Sequence, residues 1–190
     1  MRGIETGRNL CVLAGMIPRS FVSSLLLAGS VLCATLVFTS TAAAAELIAE
    51  AKAEKAPAWT FKDLEGKAVS SEDLKGKVLV VDFWATWCGP CVMEIPGYVG
   101  LQEKYGNDGL TIVGMSLDQG DPAKVKKFVA AKKMNYAVGI VDNKMVDTFG
   151  GFDAIPTTFV IDREGRIRYK KTGAMHTEEF EALVKPLLSK

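Results

Sequence analysis

Residues Lys77 to Pro96 read KVLVVDFWATWCGPCVMEIP. From Lys77 to Trp84 the segment is an almost continuous apolar run, broken by Asp82. Such a run suits a central strand covered on both faces. The helix that follows is expected to start at Cys88 and to run to Tyr105. Trp87-Cys88-Gly89-Pro90-Cys91 therefore falls between a buried strand and a helix start. Unpaired N–H groups and the dipole at a helix N-terminus favour a thiolate over a thiol. The pKa of Cys88 should fall toward the range where a thiolate attacks disulfides at neutral pH. Cys91 is nearly one helical turn further on and deeper, so it can reach back and resolve a mixed disulfide. Pro90 stiffens the first turn, where its missing N–H costs no hydrogen bond.

Two other uses of a cysteine pair fit less well. A permanent bridge between residues three apart closes a very short loop and constrains the unfolded chain little. A structural zinc needs about four ligands, and no metal is expected here. The sequence has four cysteines and one histidine, but Cys11 and Cys33 lie in an N-terminal segment that reads as an export signal. There Arg19 precedes the uncharged stretch Phe21 to Phe38, and small residues follow from Thr39 to Ala45. A basic start, an apolar core and an A-x-A pattern are the parts of a secretory signal. Cleavage is expected near Ala44 or Ala45, and Met16 offers an alternative start with a more ordinary leader. Retention as a membrane anchor is the competing reading, since eighteen uncharged, mostly apolar residues are at the lower edge of a span. Lipid attachment does not fit, because Leu32 is not a small residue before Cys33.

The 190 residues carry 23 basic and 22 acidic side chains, a formal charge of +1. Losing Arg2, Arg8, Arg19 and Glu5 with residues 1–45 leaves 20 against 21, or −1. This near balance argues against nucleic-acid binding, which normally shows a clear basic excess. With 48% apolar residues, a disordered chain is excluded. The expected organisation is a signal or anchor at 1–45, an Ala-, Lys- and Glu-rich linker or frayed helix at 46–57, and one domain at 58–190.

Within that domain, Trp59–Asp63 and Lys67–Val69 flank the turn Glu65-Gly66 as a short hairpin. Leu110–Leu117 and Tyr136–Val141 read as further strands. Asp121-Pro122 opens a helix, with Asp as N-cap and Pro at the first position; its Lys run reads as a solvated face. Asn143–Phe149 reads as a short helix. Thr157–Asp162 and Arg166–Lys171 form a hairpin around Arg163-Glu164-Gly165. A last helix starts near Thr177, with Phe180, Leu183, Val184, Leu187 and Leu188 on one stripe; Pro186 should kink or end it. Strands alternating with helices, closed by a hairpin, predict an α/β fold with a central mixed sheet flanked by helices.

The segment VVDFWATWCGPC, Val80 to Cys91, is similar to the active-site segment of thioredoxins. CGPCVMEIP (Cys88 to Pro96) and AIPTTFVIDREG (Ala154 to Gly165) resemble the exported TlpA/ResA branch of that superfamily. The resemblance covers Trp59 to Lys190. It implies a thioredoxin-like fold with an N-terminal hairpin and a strand–helix insertion between Leu110 and Gly151. It implies a cis peptide between Ile155 and Pro156, packed against the cysteine pair. The Ile155 backbone would then pair with an extended substrate, as in strand addition. Trp87, Gly89, Pro90, Ile155 and Pro156 would form the surface a substrate touches. Asp82 matches the thioredoxin acid that relays a proton for the second thiol, although many TlpA-like proteins carry Asn there. Glu94 in CxxCxxExP resembles the ResA-type acid near the cysteines. A structural Asp82 and a surface Glu94 are the plain alternatives. Trp84 is expected in the core and His176 in solvent.

The resemblance thus implies an exported, periplasmic thiol–disulfide oxidoreductase, without cofactor and monomeric, acting as a reductant. Its substrate would be a disulfide-bearing protein, either apocytochrome c at its CxxCH motif or a copper-assembly protein of the respiratory oxidase. Electrons would come from a membrane donor of the DsbD/CcdA kind. Two rivals are weighed. A peroxiredoxin-like peroxidase would need a PxxxTxxC site, which Ala85-Thr86-Trp87-Cys88 lacks. A Sco-like copper chaperone would use CxxxC and a distant His, whereas this chain has CxxC and only His176.

Overall fold

The computed structural model describes residues 47–48 and 52–189. The signal or anchor expected at 1–45 lies outside the described residues, and no described helix is long and apolar enough to cross a membrane. The chain first forms a hairpin of β1 (Thr60–Lys62) and β2 (Ala68–Ser70), antiparallel with Phe61 opposite Val69. It continues through β3 (Val78–Trp84), α1 (Gly89–Tyr105), β4 (Leu110–Ser116), α2 (Pro122–Ala131) and β5 (Ala137–Ile140). Then come α3 (Asn143–Thr148), β6 (Thr157–Ile161), β7 (Ile167–Thr172) and α4 (Thr177–Leu188).

Five strands form the central sheet in the order β5-β4-β3-β6-β7. β3, β4 and β5 are parallel; β6 and β7 are antiparallel to their neighbours. β3 is central, and all seven of its residues are buried. Successive side chains on a strand point to opposite faces, and both faces are covered. Val78 and Val80 join Ile112, Val160, Phe180, Leu183 and Val184 in the core under α1 and α4. Leu79, Val81 and Phe83 join Val113, Met115, Phe149 and Phe159 on the other side. The apolar run is continuous because neither parity of the strand meets water.

Several boundaries follow local chemistry. Asp121 caps α2 by accepting from the Ala123 N–H at 2.9 Å, with Pro122 at the first position. The Lys run of α2 faces solvent, and Val125 is the buried residue of that helix. α4 does not end at Pro186 but continues to Leu188.

The hairpin docks on the sheet edge at Gly139. A Cβ there would lie 2.3 Å from Cδ2 of Phe61 and 2.5 Å from the Lys62 carbonyl oxygen, so only glycine admits this approach. The segment expected as a linker makes ladder-like bonds where it is described. The Ile48 N–H donates to the Arg168 carbonyl at 2.7 Å, Ile167 N–H to the Glu54 carbonyl at 2.8 Å, and Ala56 N–H to the Gly165 carbonyl at 2.8 Å. Arg168, buried, donates its Nε–H to the Ile48 carbonyl at 2.8 Å and lies 3.4 Å from the Asp162 carboxylate. These contacts line the free side of β7, which would otherwise be an open sheet edge.

Candidate active site

β3 ends at Trp84, and the chain turns through Ala85-Thr86-Trp87 into α1. A carboxylate on the neighbouring connection holds this turn. Asp118 accepts from the Thr86 N–H at 2.8 Å, the Thr86 hydroxyl at 2.6 Å and the Ser116 hydroxyl at 2.8 Å. Asp118, Thr86 and Ser116 escaped the sequence reading, because a pairing across 32 residues depends on β3 and β4 lying side by side in register.

Cys88 is the N-cap of α1, and its sulfur accepts from the Cys91 N–H at 3.3 Å. The two cysteines are joined as a disulfide, with Cα atoms 5.3 Å apart. Both are buried, but Cys88 is 6% exposed and Cys91 1%, so Cys88 is the more accessible member. Pro90 lies in the first helical turn as expected. Trp87 is 70% exposed beside the pair, with Met93 exposed one turn further along, whereas Trp84 is buried. The Ile155–Pro156 peptide is cis. The Ile155 carbonyl oxygen lies 3.7 Å from Cys88 Sγ, within reach of a reduced thiol as donor. The structure therefore brings Trp87, Gly89, Pro90, Ile155 and Pro156 around one cysteine pair.

Glu94 lies on the same buried stripe of α1 as Cys91, and Asp82 of β3 is near enough to sense the Glu94 charge. Asp82 is 3% exposed and Glu94 7%. Burial pushes Asp82 up from 3.8 to about 8, with the nearby Glu94 charge adding and a Thr158 hydrogen bond opposing. Thr158 donates its hydroxyl to Asp82 Oδ1 at 3.1 Å. Burial likewise raises Glu94 from 4.5 to about 7, opposed by the Met175 N–H, by Lys171 and by Tyr98. The Met175 N–H donates to Glu94 Oε1 at 2.7 Å. Glu94 is therefore not a surface residue: α1 carries Cys91, Glu94, Ile95, Tyr98 and Leu101 as its buried stripe. α1 continues past Pro96 as one helix. Gly114 faces Asp82 across the β3–β4 ladder. A Cβ on it would meet Trp84 Nε1 at 2.9 Å and Tyr136 Cε2 at 3.4 Å, so its bare backbone lets both rings lie over β4. His176 is exposed at the start of α4.

A cysteine pair at a helix N-terminus, next to an exposed aromatic and on the helix that carries a buried acid, can carry out thiol–disulfide exchange. Comparison with known proteins agrees. Residues 51–186 match the Redoxin family model. A thiol-disulfide oxidoreductase ResA from Bacillus thuringiensis is 36% identical over 135 residues, spanning 70% of this chain and 77% of that protein. ResA from Bacillus subtilis is 30% identical over 154 residues, spanning 79% and 84%. Among solved structures, a thiol:disulfide interchange protein from Chlorobium tepidum is 34% identical. It matches with a TM-score of 0.68 over 74% of this chain and 99% of that one. A secreted thiol-disulfide isomerase from Corynebacterium glutamicum, 21% identical, shares the fold with a TM-score of 0.71. With that fold and this pair, the chain belongs to the Redoxin family, among its thiol-disulfide oxidoreductases of the ResA type.

Proposed function

We propose that this protein is an exported reductant of protein disulfides, with Cys88 as nucleophile and Cys91 as resolving thiol. The observation that carries this reading is the position of Cys88 at the α1 N-cap, less deeply buried than Cys91 and next to the exposed Trp87. N–H groups and the helix dipole there favour a thiolate. In the reduced protein the Cys88 thiolate attacks one sulfur of the partner disulfide, and the other sulfur leaves as a thiolate and takes a proton. Cys91 then gives up its proton to a buried acid and attacks Cys88 Sγ. The second partner thiol is released, and the Cys88–Cys91 disulfide forms. The partner gains two electrons and this protein loses two.

In this reading Asp82 or Glu94 takes the Cys91 proton; the raised pKa values of both acids support it, because they let a carboxyl exchange a proton near neutral pH. Trp87, Gly89, Pro90 and the Ile155–Pro156 backbone receive an extended partner segment. The proposed setting is the periplasm, reached by the N-terminal signal or held there by it. The proposed partners are apocytochrome c or a copper-assembly protein, with a membrane donor of the DsbD/CcdA kind returning electrons. The ResA relatives support this reading, because they are named as thiol-disulfide oxidoreductases.

The experiment is trapping with Cys91→Ser in the native host. A thiol-sensitive adduct should accumulate on Cys88 and disappear in Cys88→Ser, and its mass spectrum names the partner. No adduct, or a reduction potential near the strongly oxidising value of about −120 mV, would overturn the reductant reading.

A further inference from the structure

The Asp118 carboxylate grips the turn before Cys88 at two points, and the exchange reaction as written does not use it. Ser116, the last residue of β4, lies opposite Trp84, the last residue of β3. One residue on, the Leu117 N–H donates to the Trp84 carbonyl at 2.8 Å, so the two chains stay side by side as they leave the sheet. Asp118 is thereby brought within hydrogen-bond reach of Thr86.

The carboxylate is oriented first by its own strand end. Ser116, fully buried, accepts from the Asp118 N–H at 3.1 Å and donates its hydroxyl to Oδ2 at 2.8 Å. Oδ2 also accepts the Thr86 N–H at 2.8 Å, and Oδ1 accepts the Thr86 hydroxyl at 2.6 Å. Thr86 is therefore held by backbone and side chain together. Asp118 is 9% exposed, and a buried carboxylate is costly unless its oxygens are hydrogen-bonded. Three donors on two oxygens offset that cost.

The gripped turn leads straight into the nucleophile. The Cys88 N–H donates to the Ala85 carbonyl at 3.1 Å and closes Ala85-Thr86-Trp87-Cys88 as a four-residue turn. Thr86 is its second residue. Trp87, the third, is 70% exposed. Cys88, the fourth, caps α1 and accepts the Cys91 N–H at 3.3 Å on its sulfur. A rotation of the backbone at Thr86 would move the Trp87 ring and the Cys88 sulfur together.

We propose that Asp118, acting through Thr86, is the positioning residue that aims Cys88 and Trp87 at the partner disulfide. Attack on a disulfide needs the nucleophilic sulfur aligned with the bond it breaks, and a misplacement of about 1 Å costs on the order of a hundredfold in rate. Release by Cys91 depends less on the grip, because both reacting sulfurs then belong to the start of α1. The role is one of position and not of charge, since a negative charge by itself opposes a thiolate. The inference rests on the proposed role of Cys88 as nucleophile and adds Asp118 and Thr86 as its support.

The test follows a single turnover of the reduced protein with a peptide disulfide whose fluorescence rises on cleavage. Asp118→Ala removes the whole grip and should slow attack by Cys88 about a hundredfold; Thr86→Val removes one hydroxyl and should slow it about tenfold. Asp118→Asn removes the charge but keeps the shape. Its oxygen can accept from the Thr86 N–H and from Ser116, while its amide donates to the Thr86 hydroxyl. It should recover most of the rate lost in Asp118→Ala. Release of a fluorescent cysteine peptide from a mixed disulfide with Cys88, the step Cys91 performs, should stay close to the parent rate in every variant. A general loosening of the domain would not produce that split. Unchanged attack in Thr86→Val, equal slowing of attack and release, or an Asp118→Asn as slow as Asp118→Ala would overturn the positioning role. Should Asp118→Ala not fold, Thr86→Val and Asp118→Asn still decide it, by slow attack in the first and near-parent attack in the second. Failure of the parent protein to attack the peptide disulfide at all would instead remove the Cys88 reading.

Discussion

Replacing Asp82 by Asn should stabilise the oxidised protein and cripple its turnover. In the unfolded chain an aspartate ionises near 3.8, whereas in the folded protein burial holds Asp82 to about 8. Between these values the folded state binds the extra proton, so stability falls as pH rises. The contribution is fully present below pH 3.8 and is lost progressively up to pH 8. At about 1.4 kcal/mol per pH unit, the ionisation forgone at pH 7 costs the fold on the order of 4 kcal/mol. Asparagine keeps the shape, and its carbonyl still accepts from Thr158, but it has no charge to suppress. Denaturant unfolding at pH 4, 7 and 9 measures the difference. Asp82→Asn should match the parent near pH 4 and exceed it at pH 7 by several kcal/mol. For a domain of this size the melting temperature should rise by about 10 °C. Release by Cys91 should meanwhile slow about a hundredfold. A variant no more stable than the parent at pH 7, or a parent whose stability rises from pH 5 to pH 8, would refute the reasoning.

Glu94→Gln should draw the Asp82 pKa down from about 8, because the Glu94 charge is one cause of its rise. Carbon NMR of the Asp82 carboxyl across pH reads that shift directly. Gly139→Ala should destabilise the domain by about 1–3 kcal/mol, since its methyl would overlap the Phe61 ring and the Lys62 carbonyl. Its unfolding midpoint, read by denaturant titration, should fall.

The strands were legible because their chemistry is local. Val78–Trp84 is apolar on both parities, and it is buried on both faces. Asp121-Pro122 carries a cap and a preset first turn, and it starts a helix. Cys88-Gly89-Pro90-Cys91 carries its reactivity in its spacing and its position. Pro186 does not end α4, which runs two residues further.

The second layer of the site was less legible. Nothing near Glu94 in the chain announces that the Met175 N–H, 81 positions away, will donate to its carboxylate. The same holds for Asp118, which holds the turn before Cys88, and for Tyr98 and Thr158, which meet across 60 positions. A surface acid and a buried one look alike along the chain.

Residue order by itself determined the strand, the helix start and the cysteine pair between them, because each depends on neighbours within a turn or two. It also marked Asp82 as out of place in an apolar run. Only the tertiary structure decided that Glu94 joins Asp82 in the interior and that hydroxyls from α1 and β6 meet beside Asp82. Burial and hydrogen bonding depend on which distant segments exclude water from a group, and that is set when the sheet assembles.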